Sequence, residues 1–454
     1  MMLWRLKDAQ NALFQASLEG CDGSVVFDRI VIDSRAVQPG DLFVALKGER
    51  FDAHDFLEDV VRAGASALLV SSFPVGFYTP ALIVPDTKLA LGELAMAWRR
   101  RFTMPIVAVT GSNGKTTVKE MVAAIFAQVV GEDASLSTIG NFNNYIGLPL
   151  TVLRLREFHR FSVLEIGMNH PGETAYLANI AQPTIALINN AHREHQEFML
   201  NVEAVAREHA AVLAALPQDG VAVFPNDMIF TPLWREIAGN RQVIDFAMDA
   251  AASVSGCYDS VTRNLHVMTP VGDFSLTLPV LGVHNARNAL AAIACVLGAK
   301  IDDIGAIVRG LEQFKPVNGR MQVSTIEYGS LVGTTVIDDT YNANPDSIMA
   351  AINVLAQMRA PRILVLGDMG EVGDIGPKVH GEVGAYASEH GIEYLFGIGQ
   401  ATRITCQTFG SGSEHFEDVE SLVSTLKAYV KGPATVLVKG SRFMKMERVL
   451  ELLN

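Results

Sequence analysis

IVAVTGSNGKTTVKE, residues 106–120, decides the fold. Ile106-Val107-Ala108-Val109 is a continuous apolar run bounded upstream by Pro105, as a strand buried on both faces requires. Beyond the turn, Val118, Met121, Val122, Ile125, Phe126 and Val129 recur at the spacing of one helix face. Strand, glycine-bearing turn and helix form the framework of a phosphate-binding loop. Gly111 and Gly114 let the backbone approach a phosphate, with Ser112 and Asn113 between them. Lys115 brings a positive charge to the β- and γ-phosphates, and Thr116, followed by Thr117, offers a hydroxyl to Mg²⁺. The common pattern G-x-x-x-x-G-K-[ST] would need glycine at Val109. The shorter G-x-x-G-K-T-T keeps triphosphate binding and argues against an ordinary GTPase or motor ATPase.

The surroundings are those of a large globular protein. A chain of 454 residues exceeds one typical core, so two to four domains are expected. Hydrophobic residues make up 49% and charged residues 19%, a well-folded composition. A net charge of −13 gives no overall attraction for nucleic acid, and none is expected as a partner. Cys21, Cys257, Cys295 and Cys406 have neither metal nor redox spacing and read as small buried hydrophobes in a reducing compartment. The first ten residues, MMLWRLKDAQ, contain no apolar core of signal-peptide length, and no run reaches the roughly 18 apolar residues of a membrane span. A soluble cytoplasmic protein is the expectation, and a monomer.

Strand-like and helical stretches alternate in three blocks. Residues 1–82 carry strand-like runs at 31–33, 42–46 and 67–70 and a helix over 54–63, enough for a small α/β domain. A helix over 89–101 leads into the block 83–314, with strands at 161–166, 185–188, 221–224 and 243–246 beside the phosphate loop. Such alternation implies a parallel sheet with both faces covered. Residues 253–280 are short, polar-alternating runs that fit an antiparallel insertion or edge, and helices at 285–297 and 304–314 close the block. Pro316-Val317-Asn318-Gly319 has linker chemistry. Block 315–454 alternates strands at 336–338, 363–366, 394–398 and 435–439 with helices, a second doubly wound sheet.

Other chemistry gathers where strands end, the edge at which open α/β sheets bind ligands. Glu165 closes FSVLE and is placed to hold Mg²⁺ beside a triphosphate. Asn189-Asn190-Ala191-His192-Arg193-Glu194-His195 follows another strand; its histidines and asparagines suit metal, phosphate or a plain surface loop, and fit no zinc motif. His284 and Asn285 stand where a helix cap belongs, and Asn285 and Asn288, one turn apart, share a face that could read a base or ribose. Asp338-Asp339 ends a strand, where paired carboxylates need water or cations. With Leu366-Gly367-Asp368-Met369 and Val438-Lys439-Gly440-Ser441-Arg442, it puts three polar strand ends on one edge of the last sheet.

These motifs together resemble the Mur ligase family: GSNGKTT, E-x-G-x-N-H from Glu165 to His170, H-N-x-x-N-A-L from His284 to Leu290, Gly319-Arg320, and DDTYNANP from Asp338 to Pro345. The resemblance spans nearly the whole chain in order. It implies three domains: a small uridine-nucleotide-binding domain, a central ATPase-like parallel sheet and a C-terminal Rossmann-like domain. It implies ATP-dependent amide formation in peptidoglycan precursor synthesis. ATP would phosphorylate the terminal carboxylate of UDP-MurNAc-tripeptide, and an amine would attack the acyl phosphate. YNANP, the stretch from Leu366 to Gly373 and VLVKGSR point within the family to D-alanyl-D-alanine as that amine. Lys115 would bridge phosphates, Thr116 and Glu165 would hold Mg²⁺, and His195 a second Mg²⁺. His284, Asn285, Asn288, Arg320 and Asp339 would contact the nucleotide, the last two only on domain closure. Ser34, Arg35 and Lys47 fall in the uridine-binding block; Asn141, Asn143 and Asn144, with Tyr341, Asn344, Ser441 and Arg442, complete the expected substrate contacts.

Two positions depart from the family. A carbamylated lysine expected on the helix after the histidine motif aligns with His209, where no lysine carbamate can form. Helix spacing then favours His209 or Glu208 facing the site. Tyr145, in GNFNNYIG, stands where an acidic residue is usual. The competing readings are another Mur ligase or a folylpolyglutamate synthase-like ligase, and a nucleotide-binding scaffold without activity.

Overall fold

The computed structural model describes residues 4–72, 78–430 and 432–453. Its architecture is α/β with three principal sheets. The first is five-stranded: Arg29–Val31, Asp41–Val44, Ala67–Val70 and Ala81–Ile83 run parallel, and Ser17–Glu19 adds an antiparallel edge. The helix read over 54–63 divides into a 3₁₀ turn, Ala53–Phe56, and an α-helix, Leu57–Arg62. Asp52 holds that turn by accepting from the His54 N–H.

The nine-stranded sheet carries the phosphate loop. Ile106–Thr110, third from one edge, is flanked by Phe161–Glu165 on one side and Ile185–Ile188 on the other, all parallel. Alternate side chains explain why the strand is apolar throughout. Ile106 and Ala108 enter a core with helices Thr87–Arg99, Glu173–Ala181 and Val202–Ala214. Val107 and Val109 enter a second core with helices Lys115–Val130, Val283–Gly298 and Ile304–Glu312. Residues 253–280 form the sheet's edge, as their alternation suggested. Val254–Asp259 extends the parallel order, and Asn264–Met268 and Phe274–Thr277 fold back antiparallel.

The helix Thr87–Arg99 joins the first two sheets. Ala90, Leu91, Leu94, Ala95 and Trp98 pack into the same core as Leu42 and Val44 of the first sheet and Ile106 of the second. The Arg99 guanidinium is buried and donates to the Ala181 carbonyl at 2.9 Å and the Gln182 carbonyl at 2.7 Å. Burial pushes its pKa down to about 10.

The third sheet, six-stranded, places Thr335–Asp339, Thr435–Lys439 and Arg362–Gly367 side by side and parallel. The three polar strand ends anticipated from the sequence therefore meet on one edge. Gln322–Thr325 adds an antiparallel edge that the sequence pattern does not announce, because three of its four side chains are exposed.

Candidate active site

A cavity of about 1070 Å³ lies over the carboxyl ends of the central and C-terminal strands. The chain reverses strand order around Ile106–Thr110, the topological switch where an open α/β sheet leaves room for a ligand. The phosphate loop forms one wall. Gly111 has φ +134° and Gly114 φ +81°, backbone that other residues rarely adopt. A Cβ on Gly114 would come within 2.5 Å of the Asn288 side-chain oxygen, so the loop must be bare there. Gly114 starts the helix Lys115–Val130 with no side-chain cap, leaving its first N–H groups and the positive end of the helix dipole for an anion. Lys115 Nζ donates to the Gly111 carbonyl at 2.5 Å and lies 3.6 Å from Glu194. Thr116 is almost fully buried and lines the cavity.

A ladder of asparagines braces this loop. Asn190 accepts from the Asn113 N–H at 2.8 Å, and Asn189 and Asn190 both donate to the Asn113 carbonyl. Asn189 also donates to Asn288 at 2.8 Å, Asn288 to Asn285 at 3.1 Å, and Asn285 to the Leu281 carbonyl at 2.8 Å. Asn285 is thus no helix cap, and neither is His284: the helix begins at Val283 behind Gly282, with no capping side chain. Asn285, Asn288 and His284 do line the cavity. Burial, with Lys439 nearby, pushes the His284 pKa down to about 4.

Glu165 is buried; its Oε1 accepts from Asn143 at 2.7 Å, while Oε2 is buried with no partner. A bare carboxylate oxygen and the Thr116 hydroxyl, lining the same cavity, are the donor chemistry a divalent cation takes. Among the described residues, no three His, Cys, Asp or Glu side chains form a complete metal cage by themselves. Asn141 and Asn144 line the same wall, and Asn144 also caps the helix Gly147–Val152 through its oxygen. Tyr145 turns away from the cavity: its ring stacks on Tyr176 at 4.8 Å and lies under Lys88 Nζ at 4.7 Å.

Both histidines of the Asn189–His195 segment line the cavity. His192 exchanges backbone contacts with Ser112 Oγ, and burial lowers its pKa against the pull of Asp346 and Glu194. His195 Nδ1 lies 2.6 Å from Glu371 of the C-terminal domain. Beside His195 the cavity is lined by Asn190, His192, Glu194, Glu371 and Lys439, to none of which the sequence gives an individual role. The motif contained the first three of these, but only the fold tells which way each points.

His209 and Glu208 correct the expectation that one of them faces the site; neither lines the cavity. Glu208 accepts from the Gly172 and Thr174 N–H groups at 2.9 and 2.8 Å, capping the helix Glu173–Ala181. His209 is fully buried between Thr110 and Glu194.

The C-terminal domain supplies the facing wall. The Arg320 guanidinium lies 4.2 Å over the Tyr341 ring, with its Nε buried and unpartnered. Asp339 accepts from Lys439 Nζ at 2.6 Å and from the Met321 N–H at 3.2 Å, and burial raises its pKa even against the Lys439 ammonium. Asn344 caps the helix Pro345–Ala356 in a reciprocal capping box with Ser347, and its Nδ2 donates to Asn113 Oδ1 at 2.9 Å. It is therefore a contact between the phosphate loop and the C-terminal domain. Ser441 Oγ accepts from the Gly370 N–H at 2.7 Å, and Arg442 sits at the exposed rim, 3.1 Å from Glu447. Asp368 stays outside the cavity and caps the helix Thr402–Phe409 by accepting from the N–H groups of Gln400, Ala401 and Thr402. Ser34, Arg35 and Lys47 are not brought to this cavity: Arg35 pairs with Asp33 at 2.8 Å and Lys47 lies 3.7 Å from Asp52, both on the first domain.

A phosphate loop, a bare carboxylate and a facing wall of basic residues define a nucleotide-dependent ligase rather than a simple NTPase. Comparison with known families agrees. Residues 27–99 match the Mur ligase family catalytic domain, 109–296 the Mur ligase middle domain, and 319–442 the Mur ligase glutamate ligase domain. The chain belongs to the Mur ligase family. It is 40% identical to UDP-N-acetylmuramoyl-tripeptide–D-alanyl-D-alanine ligase of Escherichia coli K12, over 97% of this chain and 96% of that one. Its fold matches MurF of Acinetobacter baumannii at a TM-score of 0.92 and 33% identity, over 100% of this chain and 99% of that one. MurF ligase of Thermotoga maritima in complex with ADP matches at 0.82 and 27% identity, over 94% and 96%.

Proposed function

We propose that this protein is an ATP-dependent ligase that joins D-alanyl-D-alanine to UDP-N-acetylmuramoyl-tripeptide, giving UDP-MurNAc-pentapeptide, ADP and phosphate for peptidoglycan synthesis. The observation that carries the reading is the composite cavity, in which the uncapped phosphate loop faces Arg320, Lys439 and Ser441 of another domain. The names of full-length relatives support the choice of substrates. The γ-phosphoryl group of ATP passes to the terminal carboxylate of the tripeptide. The dipeptide amine then attacks the acyl carbon, and phosphate leaves with the C–O bond electrons while the amine loses its proton. Such chemistry needs positioning and charge neutralisation, with no protein nucleophile. Lys115 and the bare N–H groups of its helix hold the transferring phosphoryl group. Thr116, Glu165 and His195, with His192 beside them, would hold Mg²⁺, which when bound neutralises phosphate charge. Arg320 closes on the nucleotide and developing acyl phosphate, and Ser441 and Arg442 take the dipeptide end. Ser34, Arg35 and Lys47 bind the uridine nucleotide on the first domain. We place the enzyme in the cytoplasm as a monomer; among the described residues no helix is long and apolar enough to cross a membrane.

A panel of amines offered with the UDP-tripeptide tests the reading. D-Ala-D-Ala should be the best acceptor by mass of product; glutamate or a single amino acid outpacing it would place the chain with a sister ligase.

A further inference from the structure

His209 lies at the centre of a buried hydrogen-bonded relay. Its ring is fully enclosed, with Nδ1 2.9 Å from Thr110 Oγ1 and Nε2 2.8 Å from Glu194 Oε1. Thr110 is the last residue of the strand that launches the phosphate loop. Glu194 turns its other oxygen, Oε2, towards Lys115 Nζ at 3.6 Å and His195 Nε2 at 3.8 Å. Glu194 lines the cavity and His209 does not. With Nδ1 accepting from the threonine hydroxyl, Nε2 carries the proton and donates to the carboxylate.

We propose that His209 is a positioning residue: through Glu194 it fixes the Lys115 ammonium at the phosphate loop and the His195 ring beside it. The inference deepens the ligase reading and rests on it for the identity of the reaction. Geometry carries it. A glutamate with one free oxygen could rotate about its last torsion, a broad and weakly restrained one, and Lys115 is a long flexible cation. Anchoring Oε1 on a histidine that is itself held by the loop's own strand removes that freedom. Strand end, carboxylate and lysine then move as one unit. Residues that share a hydrogen-bond network lose function non-additively, and this gives the test.

The experiment is a double-mutant cycle on His209→Ala and Glu194→Gln, with His209→Gln as the conservative variant. Three quantities are read: the affinity for ADP with Mg²⁺ by calorimetry, and kcat and KM for the UDP-tripeptide in the complete reaction. His209→Ala should lower kcat by about tenfold or more, with KM for the UDP-tripeptide unchanged. In the Glu194→Gln background the same change should cost less than about twofold, because the path through Glu194 is already lost. His209→Gln, whose amide can still donate to Glu194, should recover most of the rate. Independent, multiplying losses in the cycle, or His209→Gln as impaired as alanine while melting like wild type, would overturn the proposal. The ADP-binding cycle resolves the positioning role even if the amine panel rejects the proposed substrates, so the two readings fail separately.

Discussion

Single residues decide the chemistry through what they leave unmade. Glu165 Oε2 and Arg320 Nε are buried without partners, and an orphaned polar atom is a standing cost of about 1–3 kcal/mol that persists where a ligand satisfies it. His284 shows the same logic with a proton. Its folded pKa is about 4, below the ordinary histidine value, because burial and Lys439 disfavour the imidazolium. Between that value and about 6.5 the unfolded chain binds a proton that the folded one refuses. The contribution is complete above about 6.5 and is lost as pH falls towards 4. The difference in unfolding free energy between wild type and His284→Gln should therefore narrow by about 2 kcal/mol across that window, after discounting for the part of the ring that water reaches. A constant difference from pH 7 to 4 would show the ring to be solvated.

At the scale of elements, the strand–loop–helix unit was legible because its residues obey local rules: an apolar run, two glycines at positive φ, and a helix with a continuous buried face. The polar ends of the C-terminal strands were legible for the same reason. What His209 does was not. It lies on the helix Val202–Ala214 with its partners at Thr110 and Glu194, and pairings of that range are set by tertiary packing. Asn344, expected from its motif among the substrate contacts, lines the cavity, and it also caps a helix and reaches the phosphate loop. The two roles separate by substitution. Asn344→Ala should lose about 1 kcal/mol of stability and slow turnover. Asn344→Ser keeps a cap but cannot span to Asn113, so it should melt like wild type and still turn over slowly. Wild-type turnover in the serine variant would confine Asn344 to capping.

At the scale of the molecule, the two domain junctions are built differently. The first sheet shares an apolar core with the central one through Thr87–Arg99. The C-terminal domain has cores of its own, with Leu281 of the central block packed against one of them, and it meets the phosphate-loop side through polar contacts. Arg193 binds Asp346 through its backbone N–H and guanidinium, both at 2.8 Å, and Glu382 at 2.6 Å. Burial alone would raise the Asp346 pKa, but Arg193 outweighs it and holds the carboxyl below the usual range, so the contact is intact at neutral pH and is lost only as pH falls through that lowered value. A junction of this kind suits a domain that must open for substrates and close for chemistry. Arg193→Ala should reduce kcat by about tenfold with little change in melting temperature, and added salt should mimic it in part. An unaltered kcat would mean that closure does not depend on this pair.

The family and the three-domain plan could be read from motifs. The latch between domains could not, since Arg193 is an ordinary charged residue until the fold sets it against Asp346.

The central claim is that one composite site spends ATP on the tripeptide carboxylate. Phosphate release by the purified protein, with Mg²⁺ and ATP, tests it most directly when UDP-MurNAc-tripeptide and D-Ala-D-Ala are added singly and together. Sustained release should require both, and Lys115→Ala should abolish it while still binding the UDP-tripeptide on the first domain. Release that ignores either substrate, or none with both present, would contradict the account.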